Sequence, residues 1–415
     1  MKNGKKIEVK KVDKFHITYK TYLKAIILLF IYPIKELLYF LPRNNKIWLF
    51  GADVGKRYAD NPKALFEFCS KNCPEIKTVW ITKNKQIKEE VKKLGYDCYY
   101  AYEFLGIIYS AFSGVYIYCS TSSDINYWLS SGAFKVNLWH GSPLKKIVRD
   151  IDNPSDRDYQ IKNAKLLHKL FYKLIFPGFF EKINIFVSPS DEISKRFESA
   201  WNLAPEQLHV TGYPRNDELF NRNELAEYTI KDKKINDFFR KNKKIITYLP
   251  TYRERSNVDF PIEPEKLNKY LKENEYLFVI KLHPFDNTNL SNWDYSNILV
   301  IESTIDIYKL LAITDILVTD YSSVVFDFLI LKRPVIFFTY DLEEYIKNDR
   351  GMYQPFEEII VGEVVKNTEE LIISIDKNIT NFTISERYLR IRKLYNQFCN
   401  PENCKRVYEM IKQRL

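Results

Sequence analysis

Two of the five histidines in this 415-residue chain stand directly after apolar, strand-like runs. His140 follows "KVNLW" (135–139) and opens "HGSPLKK", while His283 follows "YLFVIKL" (276–282) and precedes a proline. A neutral imidazole takes a proton from a hydroxyl near neutral pH, and an imidazolium stabilises developing negative charge. A His-Gly step at a strand end also suits an ordinary tight turn, and a lone histidine is more often structural. The matching placement of His140 and His283 in two separate regions favours convergence on one cleft.

A second constellation lies in "TDYSSVVFDFLILKRP" (319–334), where Asp320, Ser322 and Ser323 stand between a strand end and an amphipathic stretch that contains Asp327. Serine at such a position caps a helix. Free N–H groups beside paired hydroxyls also hold phosphate. No Walker-type lysine follows, which argues against that class of ATP hydrolysis. Thr251 and Arg253 follow another apolar run, "IITYLP" (245–250). Gly141, Ser142, Lys145 and Lys146 surround His140; the lysines suit either an anionic acceptor or a solvated face. Arg215 in "YPRND" suits either ligand contact or an ion pair at a domain junction. The chemistry suggested is proton removal from a hydroxyl with charge stabilisation at a phosphoryl group. Asp150 and Asp152 have no second carboxylate cluster nearby and read as a loop.

Positioning these residues requires parallel sheets, because ligands of open α/β sheets bind beyond the carboxyl ends of the strands. Five apolar runs between 46 and 188 and five more between 245 and 338 alternate with amphipathic stretches, the pattern of α/β architecture. The expected fold is two Rossmann-like domains facing across a cleft. Residues 44–228 are expected to form the first and residues 229–383 the second. A charged linker lies around "NRNELAEYTIKDKKINDFFRKNKK", and a C-terminal helix covers 384–415.

The formal net charge of +10 calls for an anionic partner. No RNA-binding motif is visible, and the basic residues flank apolar segments, so nucleic acid is not expected. Residues 1–24 hold eight lysines, and residues 25–34 are an uncharged apolar run of ten, roughly half of what crosses a bilayer. Residues 1–43 therefore read as a segment lying in the interface of an anionic membrane. Lys162, Lys165, Lys169 and Lys173 recur at helical spacing and suit either a solvated helix face over a core or a second contact with lipid phosphates. The six cysteines form no CxxC pair and read as reduced, mostly buried thiols.

The ordered set "WHGSPLKK", "TGYPRND", "LPTYRE", "KLHP", "TDYSSVVFDF", "RPVIFF" and "RGMY" resembles the CDP-glycerol glycerophosphotransferase family of teichoic acid and capsule enzymes. The resemblance implies a GT-B fold, peripheral attachment to the cytoplasmic membrane face, and transfer of glycerol or ribitol phosphate from a CDP-alditol to a polyprenyl-linked polymer. It implies that His140 is the base and that His283 acts at the transferred phosphate. Ser322 and Ser323 correspond to the phosphate-binding pair, with Asp320 and Asp327 flanking it. The scheme requires no metal, though it leaves room for a divalent cation. Ser142 stands where the family commonly has threonine, and "IIVGEVV" (359–365) lacks the family's prolines. A nucleotide-sugar glycosyltransferase of the same fold, or a membrane-bound scaffold, would share several of these features.

Overall fold

The computed structural model describes residues 18–221, 232–251, 260–282, 286, 290, 292–302, 306–342 and 351–415. The first sheet comprises β1 (Asn44–Phe50), β2 (Lys77–Thr82), β3 (Cys98–Tyr100), β4 (Ser113–Tyr118), β5 (Phe134–Asn137), β6 (Ile185–Ser188) and β7 (Leu208–Val210). Its strands are all parallel, in the order β3-β2-β1-β4-β5-β6-β7. The second comprises β8 (Ile245–Leu249), β9 (Leu277–Ile280), β10 (Ile298–Val300), β11 (Ile316–Thr319), β12 (Val335–Phe338) and β13 (Glu363–Val365). It is also parallel, in the order β10-β9-β8-β11-β12-β13. In both sheets the order reverses beside the first strand, which makes β1/β4 and β8/β11 the switch points where ligand crevices open.

The central strands are legible as apolar runs because helices cover both faces; all five residues of β8 are buried, for example. The three strands that the sequence does not reveal, β3, β7 and β13, are three-residue edge strands. None of the three (CYY, LHV and EVV) is a run of aliphatic residues, whereas the equally short edge strand β10 (ILV) is and reads as a strand.

The charged stretch read as a linker contains a helix, Lys233–Arg240, capped by Asp232, whose Oδ1 accepts from the Lys234 and Ile235 amides. Ile235 packs with Ile245 and Leu277, so this helix belongs to the second half's core. Residues 384–415 are two helices. In Glu386–Tyr395, Tyr395 stacks on Phe326 with ring centroids 3.4 Å apart and lies in a cluster that also takes Phe186 and Phe197 from the first half. The last helix, Asn403–Arg414, returns to the first half and buries Cys404, Val407 and Ile411 against its core.

The helix Tyr19–Leu37 buries only Ala25, Leu28 and Lys35. It rests on the helix Leu166–Ile175 through a Tyr22–Phe171 ring contact and a Tyr32 hydroxyl donated to the Lys173 carbonyl at 3.0 Å. The four lysines expected on one helical face are divided. Lys162 ends the separate helix Arg157–Lys162 and donates to the Arg149 carbonyl; Lys165 is the N-cap of the next helix. The break at 163–165 interrupts the periodicity that the sequence suggests. Among the described residues no helix is long and apolar enough to cross a membrane.

Candidate active site

The backbone around His140 is built by neighbouring side chains. Past β5, Asn137 accepts from the Trp139 amide at 2.8 Å and donates to the Ser120 carbonyl at 3.0 Å. Trp139 then enters the left-handed region with φ 51°, an uncommon and strained conformation for a bulky residue. Three contacts over-determine it. Its ring packs against Trp201 at 4.4 Å, and its carbonyl, like that of Leu138, accepts from Asn61 Nδ2. Asn61 is fully buried near the start of the helix Asp60–Asn72. His140 is exposed at this turn, with its ring tilted against that of Trp139 at a centroid distance of 3.9 Å.

His140 Nδ1 lies 3.0 Å from the Cys119 carbonyl oxygen. A carbonyl only accepts, so Nδ1 carries the proton and Nε2 keeps its lone pair. The protein crowding the ring pulls the imidazolium pKa below its ordinary value; Asp60 and the Cys119 hydrogen bond oppose that pull, and Arg215 adds to it. The result is a neutral imidazole with its basic nitrogen on the open side, the arrangement a general base needs.

The facing wall comes from the second half. Gly141 has φ 150°, and a Cβ placed on it would lie 3.4 Å from Ser323 Oγ and 3.5 Å from Arg215 Nη2. The His140 turn therefore abuts the paired serines after β11. Ser323 is the N-cap of Val324–Phe328, yet its hydroxyl makes no cap hydrogen bond. Both serines are half-buried. The capping role that the sequence allows is not where the Ser323 hydroxyl is spent.

Asp320 and Asp327, expected to flank a bound phosphate, have both been given to protein groups. Asp320 is buried and accepts from the amides of Thr251 and Tyr321 and from the Thr251 hydroxyl, tying the end of β8 to the end of β11. Thr251 is thus a scaffold element of the same tie. Asp327 accepts from Arg215 Nη2 at 2.8 Å, the Tyr308 hydroxyl at 2.6 Å and Asn216 Nδ2 at 3.3 Å.

Arg215 resolves to the junction alternative. Its Nη1 donates at 2.8 Å to both Asp60 and the His140 carbonyl, while Nη2 reaches Asp327 across the two halves. Burial works against the guanidinium charge, but Asp60 and Asp327 outweigh it and hold the pKa well above its ordinary value. A buried cation with two carboxylates remains charged because it is paired and hydrogen-bonded.

Lys145 and Lys146 also serve the junction. Lys145 bridges to Met352, the Lys146 amide donates to the Gly351 carbonyl at 2.9 Å, and the Tyr353 amide donates to Leu144. The "HGSPLKK" segment is therefore zipped to "GMY" of the second half. Lys146 Nζ pairs with Asp152 at 2.6 Å, and Asp150 accepts from the Tyr353 hydroxyl at 2.6 Å. Ser142 is buried behind the turn. His283 and Arg253 lie outside the described residues.

Several residues that sequence reasoning passed over complete the site. Arg196 is buried and donates to the Pro143 carbonyl at 2.7 Å and to Gln354 at 3.0 Å, a second arginine across the junction. Lys63 is buried between Glu218 at 3.3 Å and Asp306 at 2.7 Å. Lys281, one residue past β9, is 8% exposed, and its ammonium has no hydrogen-bond partner among the described residues. Burial and the neighbouring Arg57 guanidinium pull its pKa down to about 8, with Asp306 opposing. Two cations from opposite halves therefore repel one another, a place that an anion would relieve. The available signal was the loop "GADVGKRYADN" (51–61) at the carboxyl end of β1, the switch-point strand. Among the described residues no three His, Cys, Asp or Glu side chains converge as a metal site.

Comparison with known proteins places these features in context. A family model described as CDP-Glycerol:Poly(glycerophosphate) glycerophosphotransferase matches residues 34–413. A teichoic acid poly(glycerol phosphate) polymerase of Bacillus spizizenii is 31% identical over 378 residues, 87% of this chain and 90% of that protein. A teichoic acid glycerol-phosphate transferase of Staphylococcus aureus is 30% identical over 395 residues, covering 92% and 96%. Among solved structures, a variant of the wall teichoic acid polymerase TagF soaked with CDPG aligns with a TM-score of 0.74 at 23% identity, over 96% of this chain and 98% of that one.

Proposed function

Because the chain belongs to the CDP-glycerol:poly(glycerophosphate) glycerophosphotransferase family, we propose that it moves glycerol phosphate or ribitol phosphate from a CDP-alditol to a hydroxyl of a membrane-linked teichoic acid or capsule polymer, releasing CMP. The observation that carries this is the open Nε2 of His140, on a turn that lies against the paired serines of the other half. The two Rossmann-ordered sheets form a GT-B-type frame, with acceptor held by the first half and donor by the second.

In the reaction, the acceptor oxygen attacks the alditol-side phosphorus in line, and the bond from that phosphorus to the CMP phosphate oxygen breaks. His140 Nε2 takes the hydroxyl proton as the new P–O bond forms, a contribution of roughly 10²–10⁴ in rate. Charge on the equatorial oxygens meets Lys281, Arg57, the Ser322 and Ser323 hydroxyls, and His283 two residues beyond Lys281. The electrostatic repulsion stored between Lys281 and Arg57 falls when the donor's phosphates arrive.

The apolar helix Tyr19–Leu37 and the helix Leu166–Ile175 expose Ile26, Ile27, Phe30, Leu166 and Leu167 on adjoining elements. They hold the enzyme peripherally on the cytoplasmic face of the membrane, with surrounding lysines each contributing on the order of 1 kcal/mol near anionic lipid. There the lipid-linked acceptor is locally concentrated.

The test is incubation with CDP-glycerol or CDP-ribitol and a lipid-linked acceptor, followed by product masses. Mass increments of one alditol phosphate with release of CMP are expected. Release of another nucleotide from a nucleotide-sugar panel, with no CMP from either CDP-alditol, would instead identify a glycosyltransferase.

A further inference from the structure

We propose that Asp124 is a positioning residue for His140 and acts on it through the Cys119–Ser120 peptide unit. This rests on His140 being the base. The carbonyl of that peptide, Cys119 O, accepts from His140 Nδ1 at 3.0 Å, and the N–H of the same peptide, on Ser120, donates to Asp124 Oδ2 at 2.9 Å. The chain imidazole–carbonyl–amide–carboxylate is therefore continuous.

Asp124 is fully buried, and backbone amides hold both oxygens in place: Oδ1 accepts from the Val54 amide at 2.7 Å, and Oδ2 also accepts from the Cys119 amide at 3.1 Å. Its site joins the loops after β1 and β4, the two strands of the switch point. A carboxylate that accepts from one end of a peptide polarises the carbonyl at the other end, so the Cys119 oxygen becomes a stronger acceptor. Its pull on Nδ1–H grows as Nε2 takes a proton and the ring becomes positive. In hydrolase triads a buried carboxylate fixes the imidazole directly; here one peptide unit stands between them. The Nδ1 proton stays on the ring throughout.

Other charges face the same groups. Asp60, Asp53 and Arg215 act on His140, and Lys83 lies beside Asp124, donating to the Ser123 carbonyl at 2.6 Å. Burial pushes the Asp124 carboxyl up, while the three backbone N–H groups donating to its oxygens favour the ionised form.

Two measurements test this. In Asp124→Asn the expected result is a kcat about 10-fold lower, an unchanged KM for CDP-glycerol, and an acid limb of kcat/KM moved to lower pH. An acid limb that stays in place would overturn the proposal, since a merely structural role predicts that outcome. In the wild-type protein labelled with 15N-histidine, His140 (assigned by its loss in His140→Asn) is expected as the Nδ1–H tautomer. Its pKa, read from the 15N shifts, should fall in Asp124→Asn. An Nε2–H tautomer would overturn the proposal even if Asp124→Asn does not fold, and an unchanged His140 pKa in folded Asp124→Asn would overturn it as well. The spectroscopic result is independent of activity, so it separates failure of this coupling from failure of His140 as base.

Discussion

Gly141 of the first half and Ser323 of the second are in such close register that a single added methyl on Gly141 would stand 3.4 Å from the serine hydroxyl. The two residues mark the seam at which the His140 turn meets the start of the helix Val324–Phe328. Because Gly141 also has φ 150°, any L side chain there is strained in its backbone, although the space itself would admit a methyl in ordinary contact. Gly141→Ala is expected to reduce kcat on the order of 10²-fold, since small misplacements of reacting groups carry that penalty. Thermal stability measured alongside should fall only modestly.

The pH dependence follows from the direction of the His140 shift. The protonated imidazole cannot act as base, and its pKa is held below the ordinary histidine value by the surrounding protein. Neutral imidazole therefore persists to lower pH, and the acid limb of kcat/KM should lie below about 6.5. A profile of CMP release from pH 5 to 9 reads this directly; a limb above 6.5 would contradict the shift.

The junction should behave as a charged unit. Arg215→Ala leaves Asp327 and Asp60 without their buried cation and is expected to destabilise the fold by about 3–5 kcal/mol. Asp327→Asn, which leaves Arg215 paired with Asp60 and retains a hydrogen-bonding side chain, should cost less. Urea unfolding of both variants gives the comparison. Equal and small effects would mean that the ion pair is not what secures the two halves.

How much of this was readable beforehand depended on burial. Central strands such as β8 and β11 are fully buried and announce themselves as apolar runs, whereas β3, β7 and β13 are short edges with no such signature. His140 and the serine pair were legible because polar residues at strand ends are conspicuous. The partners of Asp327 and Arg215 were not, since Asp60 lies 155 residues from Arg215 in sequence and Asp327 meets Arg215 only where the two halves dock. Asp124 was hidden for a related reason: its effect passes through backbone groups, which leave no trace in side-chain spacing.

Membrane attachment is tested at Leu167 and Leu170, both exposed on the helix Leu166–Ile175. Leu167→Glu with Leu170→Glu removes apolar surface and adds two negative charges, so co-sedimentation with anionic vesicles should fall at least about 10-fold. Turnover of a water-soluble acceptor should be retained. Equal loss of both would assign the helix a structural role instead.

The central claim is most directly tested by kcat in His140→Asn. Asparagine can still donate to the Cys119 carbonyl while lacking the basic nitrogen, so the turn is preserved and only the base is removed. The expected result is a fall in kcat of roughly 10²–10⁴ with little change in KM for CDP-glycerol. A kcat within about threefold of wild type would contradict the assignment of His140 as the base.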